Sequence, residues 1–267
     1  MVVSAFASSR RTPVFTAVLL TAACLPLAQA ATETKKDGHW RGLLGASLAA
    51  TTGNTETSTL LLNLDMARQN QHSKLSVQGF INRGESKVDG ERTTTADKWG
   101  LSSQYDEDIS LRWFGFGKVG FDRDRLIDLS LRSTVSGGLG YHAIDTEGQT
   151  LNLFGGLSYT DRRYSTEQTL NNKTSRHFSN PGALLGEEYT QQIDGNRVVF
   201  KQRLELYPDL SQDHAHLARL NASLNVSISR TLSLSVGLVS TYNHKVPAGT
   251  KKTDTSLLTG LNIKLGD

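Results

Sequence analysis

The 267-residue chain has one cysteine, Cys24, and five prolines. A single cysteine excludes a disulfide scaffold. The chain has no apolar run of the about 20 residues that a membrane helix needs, which excludes a polytopic helical membrane protein. Aromatic residues are scarce at 7%, and the net charge is only +3 with histidine neutral. A balance so near zero speaks against nucleic acid as a partner. Long polar tracts are also missing. Apolar residues, 37% of the chain, are spread along nearly its whole length, which argues against disorder. The mean hydropathy of −0.35 taken alone describes an ordinary soluble protein. What the chain has in excess is glycine, with 24 residues.

The first thirty residues read as a leader. Arg10 and Arg11 precede an apolar run over 14–27, and Ala28-Gln29-Ala30 follows as a small-x-small site. This is the order of a secretory signal peptide, with cleavage expected after Ala30. A lipoprotein would be cut just before Cys24, but Thr21-Ala22-Ala23 lacks the leucine usual three positions upstream. Removing 1–30 takes away Arg10 and Arg11 alone among charged residues, so the net charge falls to +1 and no cysteine remains. Export without a disulfide suits a bacterial envelope protein. Residues 31–39 read as a short lead and 40–267 as a single β domain, a common size for a β barrel.

From residue 40 onward the apolar residues alternate. Leu60, Leu62, Leu64 and Met66 are separated by Asn63 and Asp65. Leu129, Leu131, Val135, Leu139 and Tyr141 stand opposite Ser130, Arg132, Thr134 and Ser136. The same period recurs in 220–228, 232–238 and 257–265. Successive side chains of a strand point to opposite faces, so each segment has one apolar and one polar face. About twelve strands are expected, at 40–52, 57–69, 73–82, 94–105, 110–122, 129–142, 149–164, 184–193, 197–207, 215–228, 232–244 and 254–265. They are longer than the usual 5–6 residues of globular strands. They match the roughly 9–11 residues that a tilted strand needs to cross a bilayer.

The connections alternate too. Short turns are expected at 70–72, 106–108, 145–148, 194–196 and 229–231, and longer polar loops at 83–93, 122–128, 167–183, 209–214 and 245–253. This two-sided asymmetry is that of outer-membrane barrels. Pro181, Pro208 and Pro247 are expected in or beside the long loops, since a closed barrel has no edge strand to accept them. Trp40, Tyr105, Trp113 and Tyr141 are expected in an aromatic girdle beside the short turns, and Tyr159, Tyr164, Tyr189, Tyr207 and Tyr242 in one beside the long loops.

The fold class expected is all-β, a single antiparallel transmembrane barrel of about twelve strands. Its polar face should line the lumen, with Lys201, Arg203, Glu205, Arg132, Lys98, Asp65 and Lys264 as candidate lining residues, beside Asn63, Glu188, Asn221 and Asn225. A sheet in hydrocarbon has no water for unpaired backbone groups, so it must close. An even strand count returns both termini to the periplasm and places the long loops outside. The expected partners are outer-membrane lipid and lipopolysaccharide, the barrel-assembly machinery and a small solute. A soluble periplasmic sandwich that binds a ligand is the alternative fold, since its strands alternate as well.

Trp40-Arg41-Gly42 leads the first strand and Gly53-Asn54-Thr55-Glu56-Thr57 forms its turn. Tyr105-Asp106 and Gly138-Leu139-Gly140-Tyr141 recur near later turns. With these motifs the chain resembles the YdiY-like family of salt-stress-induced outer-membrane proteins, whose function is uncharacterised. The resemblance implies an exported barrel with a stress-related role and brings no catalytic residues. The chain departs from the usual barrel ending, an aromatic residue read by the assembly machinery, and closes with Lys264-Leu265-Gly266-Asp267.

No cofactor is expected. His214 and His216 share a face if extended, but two histidines fall short of a metal site. His142, expected to point inward, is the one candidate base for a lipid-modifying enzyme of phospholipase or deacylase type, yet no G-x-S-x-G elbow accompanies it. Lys245, Lys251 and Lys252 lie in the last outer loop, within reach of lipopolysaccharide phosphates. The Lys201–Arg203–Glu205 row puts three charges on one inward face. It reads either as an ion network that plugs a narrow lumen or as a selectivity lining.

Overall fold

A computed structural model describes residues 36–266 except 52–54, 89–90, 171–172, 195–196, 211–215 and 245–250. The expected leader with Cys24, residues 31–35 of the lead, the Gly53-Asn54 part of the first turn, His214, Lys245 and Pro247 lie outside the described residues.

Twelve strands follow one another: β1 (Trp40–Thr51), β2 (Thr55–Gln69), β3 (Ser73–Val88), β4 (Glu91–Asp108), β5 (Trp113–Asp124), β6 (Leu129–Thr146), β7 (Gln149–Leu170), β8 (Lys173–Ile193), β9 (Val198–Pro208), β10 (His216–Ser227), β11 (Leu232–Asn243) and β12 (Thr253–Leu265). Each pairs antiparallel with its neighbours in sequence, and β1 pairs with β12 to close the ring. The closed ring rules out the sandwich, whose two sheets would leave edges. Among the described residues one 3₁₀ turn, Arg125–Ile127, lies between β5 and β6.

The alternation sorts the side chains as expected. Outward positions carry exposed apolar residues such as Leu44, Leu101, Val135, Leu139, Leu157 and Leu261. Large apolar surface left uncovered on every strand would be costly in water; facing acyl chains, it is matched.

The long strands differ from expectation on one side. Apart from 89–90 and 171–172, which lie outside the described residues, the polar stretches 83–93 and 167–183 are strand rather than loop. They continue β3 into β4 and β7 into β8 as paired ladders, with Ser86 opposite Thr93 and Leu170 opposite Lys173. Hairpins that project into water need no apolar face, so the period fades there while the pairing persists. The turn expected at 106–108 is strand as well, and the chain reverses over 109–112 instead, held by Trp113 N–H donating to Ser110 Oγ at 3.1 Å.

Pro181 lies within β8, opposite Tyr159, rather than in a loop. The side of β8 that would need its N–H faces β9, which has already ended at Pro208, and there the Pro181 carbonyl accepts from Leu210 N–H at 3.1 Å. The proline therefore sits where one ladder stops.

The girdle beside the short turns holds Trp40, Tyr105, Trp113 and Tyr141, with Trp113 and Tyr141 edge-to-face at 5.2 Å. Tyr189 joins this end, because β8 runs down to the short turn after Ile193. Tyr207 and Tyr164 face the lumen instead, which corrects the outer girdle to Tyr159 and Tyr242. A register shift between Leu129 and Leu131 likewise turns Leu129 inward beside Tyr164, where it is 1% exposed.

The lumen is not wholly polar. Phe114, Phe116, Phe154, Leu184 and Tyr207 form a buried cluster inside it. Two of these rings lie flat over a glycine of the next strand: a Cβ at Gly140 would collide with Phe114, and one at Gly186 with Phe154. Gly140→Val should therefore destabilise the barrel by about 1–3 kcal/mol through overpacking. The lipid-facing Gly117→Ala, whose Cβ meets nothing within 4 Å, should be near neutral. Urea unfolding of the refolded protein in micelles measures both.

Candidate functional site

Every candidate lining residue falls on the inner face. Lys201, Arg203 and Glu205 alternate with the outward Phe200, Gln202, Leu204 and Leu206 along β9. Asp65, on β2, lies five strands away around the ring of twelve, so it comes from almost the opposite wall. Lys201 Nζ nevertheless reaches Asp65 Oδ2 at 3.1 Å. Lys74 on β3 reaches Glu188 Oε1 on β8 at 2.7 Å, again across five strands. Contacts between opposite walls mean that side chains fill the middle.

Arg203 is the hub. Its guanidinium donates to Glu205 Oε1 at 2.8 Å, to Glu188 on the neighbouring strand and to Gln104 of β4 across the lumen. It also stacks over Phe154, 5.0 Å from the ring centre. Five fixed N–H donors in a plane let one arginine serve several acceptors at once, which a lysine cannot do. Glu205 is shared in turn with Lys118 of β5, and Tyr207 donates to it at 3.0 Å. Arg203 is 8% exposed and Glu205 4%, so both ions have left water and depend on each other.

A second group sits toward the extended hairpins. Arg132 Nε donates to Asp122 Oδ2 at 3.0 Å, and Arg219 of β10 reaches the same carboxylate at 3.2 Å across the lumen. Arg162 stands directly opposite Arg132 in the β6–β7 register and donates to Asn180 Oδ1 at 3.3 Å. Lys98 stands opposite Asp124 in the β4–β5 register, and Lys264 donates to Ser227 at 2.8 Å. Of the other lining residues, Asn225 accepts from Asn262 at 3.2 Å, while Asn63 lies beside Gly45 and Asn221 stands opposite Arg203.

Lys74, Gln104, Lys118, Asp122, Arg162 and Arg219 complete this interior and were not singled out from the sequence. Their signal was available. Lys74 precedes Leu75 in the alternation of β3, and Lys118 lies between the outward Gly117 and Val119.

The lead closes one end. Asp37 holds Arg41, which points into the lumen, through a double hydrogen bond of 2.7 and 2.6 Å. Gly38, at φ 76°, lets the chain turn so that its carbonyl meets Arg68 Nε at 2.7 Å. The Arg41 guanidinium holds the Asp37 carboxyl well below the usual carboxylate range.

Two of the histidines singled out from the sequence, His142 and His216, lie among the described residues. His142 stacks on Phe114 at 4.7 Å, and its ring nitrogens face Asn152 Oδ1 at 2.8 Å and Asp108 Oδ1 at 3.1 Å. His216 faces outward and stacks on His244 at 4.4 Å. Among the described residues no three His, Cys, Asp or Glu side chains gather as metal ligands. Lys251 and Lys252 are exposed.

The architecture defines a class: a closed twelve-stranded β barrel with an apolar exterior and an ion-paired interior. Residues 44–265 match the family of proteins of unknown function DUF481, and the chain belongs to this family, the YdiY-like outer-membrane barrels. No curated protein matches it in sequence. Among solved structures it is similar to the NanC porin, at 11% identity and a TM-score of 0.47, over 85% of this chain and 100% of that one. It is similar to an outer-membrane channel from Pseudomonas putida F1, at 12% identity and a TM-score of 0.46, over 90% and 99% of the two chains. The translocator domain of the autotransporter NalP from Neisseria meningitidis gives 11% identity and a TM-score of 0.46, over 87% and 90%.

Arg203→Met should destabilise the barrel by about 3–5 kcal/mol, because it leaves Glu188 and Glu205 buried with fewer partners; chemical denaturation of the refolded protein measures it. A second expectation concerns Asp37. Its pKa is lowered in the fold, so the Asp37–Arg41 clip is present at neutral pH and is lost only as pH falls through that depressed value. Arg41→Ala should return the Asp37 titration upward toward about 3.9, read by carboxyl carbon NMR.

Proposed function

We propose that this protein is a non-enzymatic outer-membrane barrel whose lumen is filled by ion pairs, leaving a narrow polar path at most. The observation that carries this reading is the set of contacts between opposite walls: Lys201 with Asp65, Lys74 with Glu188, and Arg203 with Gln104. An open channel keeps its charges on the wall; here they meet in the middle. A small polar gap beside Arg203 and Lys118 is lined by Ser76, Gln78, Ser102 and Gln104. A small solute is the only cargo that such spacing suits.

The leader at 1–30 supports export, and the polar extended hairpins support an outward position for that end, with both termini in the periplasm. Lipid, lipopolysaccharide and the barrel-assembly machinery are the partners this reading requires. A stress-related role rests on the family resemblance alone.

Planar-bilayer conductance tests the proposal. The refolded wild-type protein should give small steps or none. Arg203→Ala combined with Lys118→Ala should raise conductance by removing the hub, and Lys201→Glu should shift the residual current toward cations. A heat-dependent shift in gel mobility checks that each variant is folded. A large, stable wild-type conductance, unaffected by these changes, would overturn the proposal.

A further inference from the structure

The ladder that closes the barrel is incomplete. β1 and β12 pair only from Gly42 opposite Leu265 to Ala46 opposite Leu261. Gly260 still packs against Ala46 and Ser47, but beyond that point residues 48–51 of β1 pair with β2 alone, and residues 253–259 of β12 pair with β11 alone. Both strands continue to the end of the barrel that carries the extended hairpins. The wall is thus unzipped over the outer half of this seam.

The depth of the slit matters. β1 has 12 residues, about the length needed to cross the hydrocarbon when tilted. Residues 48–51 therefore fall within the apolar belt, in its outer half. Free strand edges are not tolerated against lipid unless they line a cavity. The flanks of the slit match a lipid environment: Leu48 and Leu257 point outward and are 81% and 73% exposed.

The inner face behind the slit differs from the rest of the lumen. Leu61 on β2, Phe80 on β3, Val239 on β11 and Leu258 on β12 all occupy inward positions in the register. Phe80 is 40% exposed and Val239 37%, although both point into the barrel. Phe80 and Val239 are thus uncovered apolar side chains inside the lumen beside a gap in the wall, flanked by Leu61, which is buried at 7%. The Arg203 hub spans β4, β5, β8 and β9, away from the seam, and the nearest cross-lumen ion pairs end on Asp65 of β2 and Lys74 of β3.

We propose that the outer half of the β1–β12 seam is a lateral portal, through which an acyl chain of the surrounding leaflet enters the lumen and lies on Leu61, Phe80, Val239 and Leu258. The inference rests on the membrane-spanning reading above and adds a ligand class and a route to it. Acyl chains are the molecules already in contact with Leu48 and Leu257. At the outer end of the slit, the ester oxygens beside a lipid headgroup can accept from the unpaired backbone N–H groups.

Site-directed fluorescence quenching tests this. With Cys24 replaced by Ser the chain has no other cysteine, so single labels can be placed at will. One small fluorophore is attached at Val239→Cys, a second at the inward Thr134→Cys on β6, and a third at the outward Leu157→Cys. Each protein is refolded into vesicles of phosphatidylcholine brominated along its acyl chains. The expected result is quenching at 239 several-fold greater than at 134, where the same wall thickness separates label from lipid. Leu61→Asp should bring the 239 quenching down to the level at 134. Equal quenching at 239 and 134 would overturn the portal. So would quenching at 239 by free brominated fatty acid but not by brominated phospholipid, since that places entry at the mouth. Leu258→Cys replaces Val239→Cys if the latter fails to refold. Unquenched label at 157 would instead overturn the membrane-spanning reading itself, which keeps the two failures apart.

Discussion

A backbone N–H in hydrocarbon has no water to bond, and this one constraint organises the molecule. It demands a closed sheet, and the ring from β1 to β12 answers it. A ring built from an even number of antiparallel strands brings its ends together on one side. Crossing the bilayer sets the minimum strand length. Once the exterior must be apolar, period two makes the interior polar without further choice. The low mean hydropathy of −0.35 is the arithmetic consequence: half of each strand faces lipid and the other half does not.

A polar interior raises a second problem, which the ion network solves. Charged groups in a narrow lumen lose most of their hydration, and a lone one would be costly. Here the carboxylates are shared. Glu205 serves Arg203, Lys118 and Tyr207, and Asp122 serves Arg132 and Arg219. Sharing ties β4 and β5 to β8, β9 and β10, so the network braces opposite walls as well as neutralising charge. Glycine contributes by its missing side chain. Gly140 and Gly186 leave room for Phe114 and Phe154 to lie against the inner wall, which explains glycine within strands better than flexibility does.

How much of this was legible follows from which physical rule each feature obeys. The twelve strands and the inward Lys201, Arg203 and Glu205 obey period two, which one strand's residues display by themselves. The extended hairpins of β3–β4 and β7–β8 do not, because both of their faces meet water, and their pairing leaves no trace in hydropathy. Pro181 read as a loop residue because a proline disfavours a ladder; that one ladder ends beside it depends on β9 stopping at Pro208. Tyr207 and Leu129 were placed on the wrong face for different reasons. Tyr207 shares the parity of Glu205 and could have been assigned inward from it. Leu129 could not, because the register shift that turns it is a property of the pair β6–β7. The partners of Arg203 were beyond reach for the same reason: Gln104 lies 99 positions away in sequence, and only the closed ring brings it near.

The network and the slit are two outcomes of one geometry. A closed sheet of twelve strands encloses more space than side chains from one wall can fill. Long charged side chains of β2, β3, β5, β8, β9 and β10 reach across and fill much of it. In the middle of the β1–β12 seam the inward residues are short, with Ser47, Gly45 and Gly260 on the two closing strands, while Arg41 and Lys264 lie at its lower end. The short residues cannot reach the opposite wall, and they give the seam no cross-lumen brace. The ladder there is held only by Gly42 to Ala46 and their partners. The seam between β1 and β12 is therefore where the wall is open, and the bridging charges nearest to it are Asp65 on β2 and Lys74 on β3. A barrel braced on one side and unzipped on the other has its weakest wall where lipid can enter, and its tightest core where ions would have to pass.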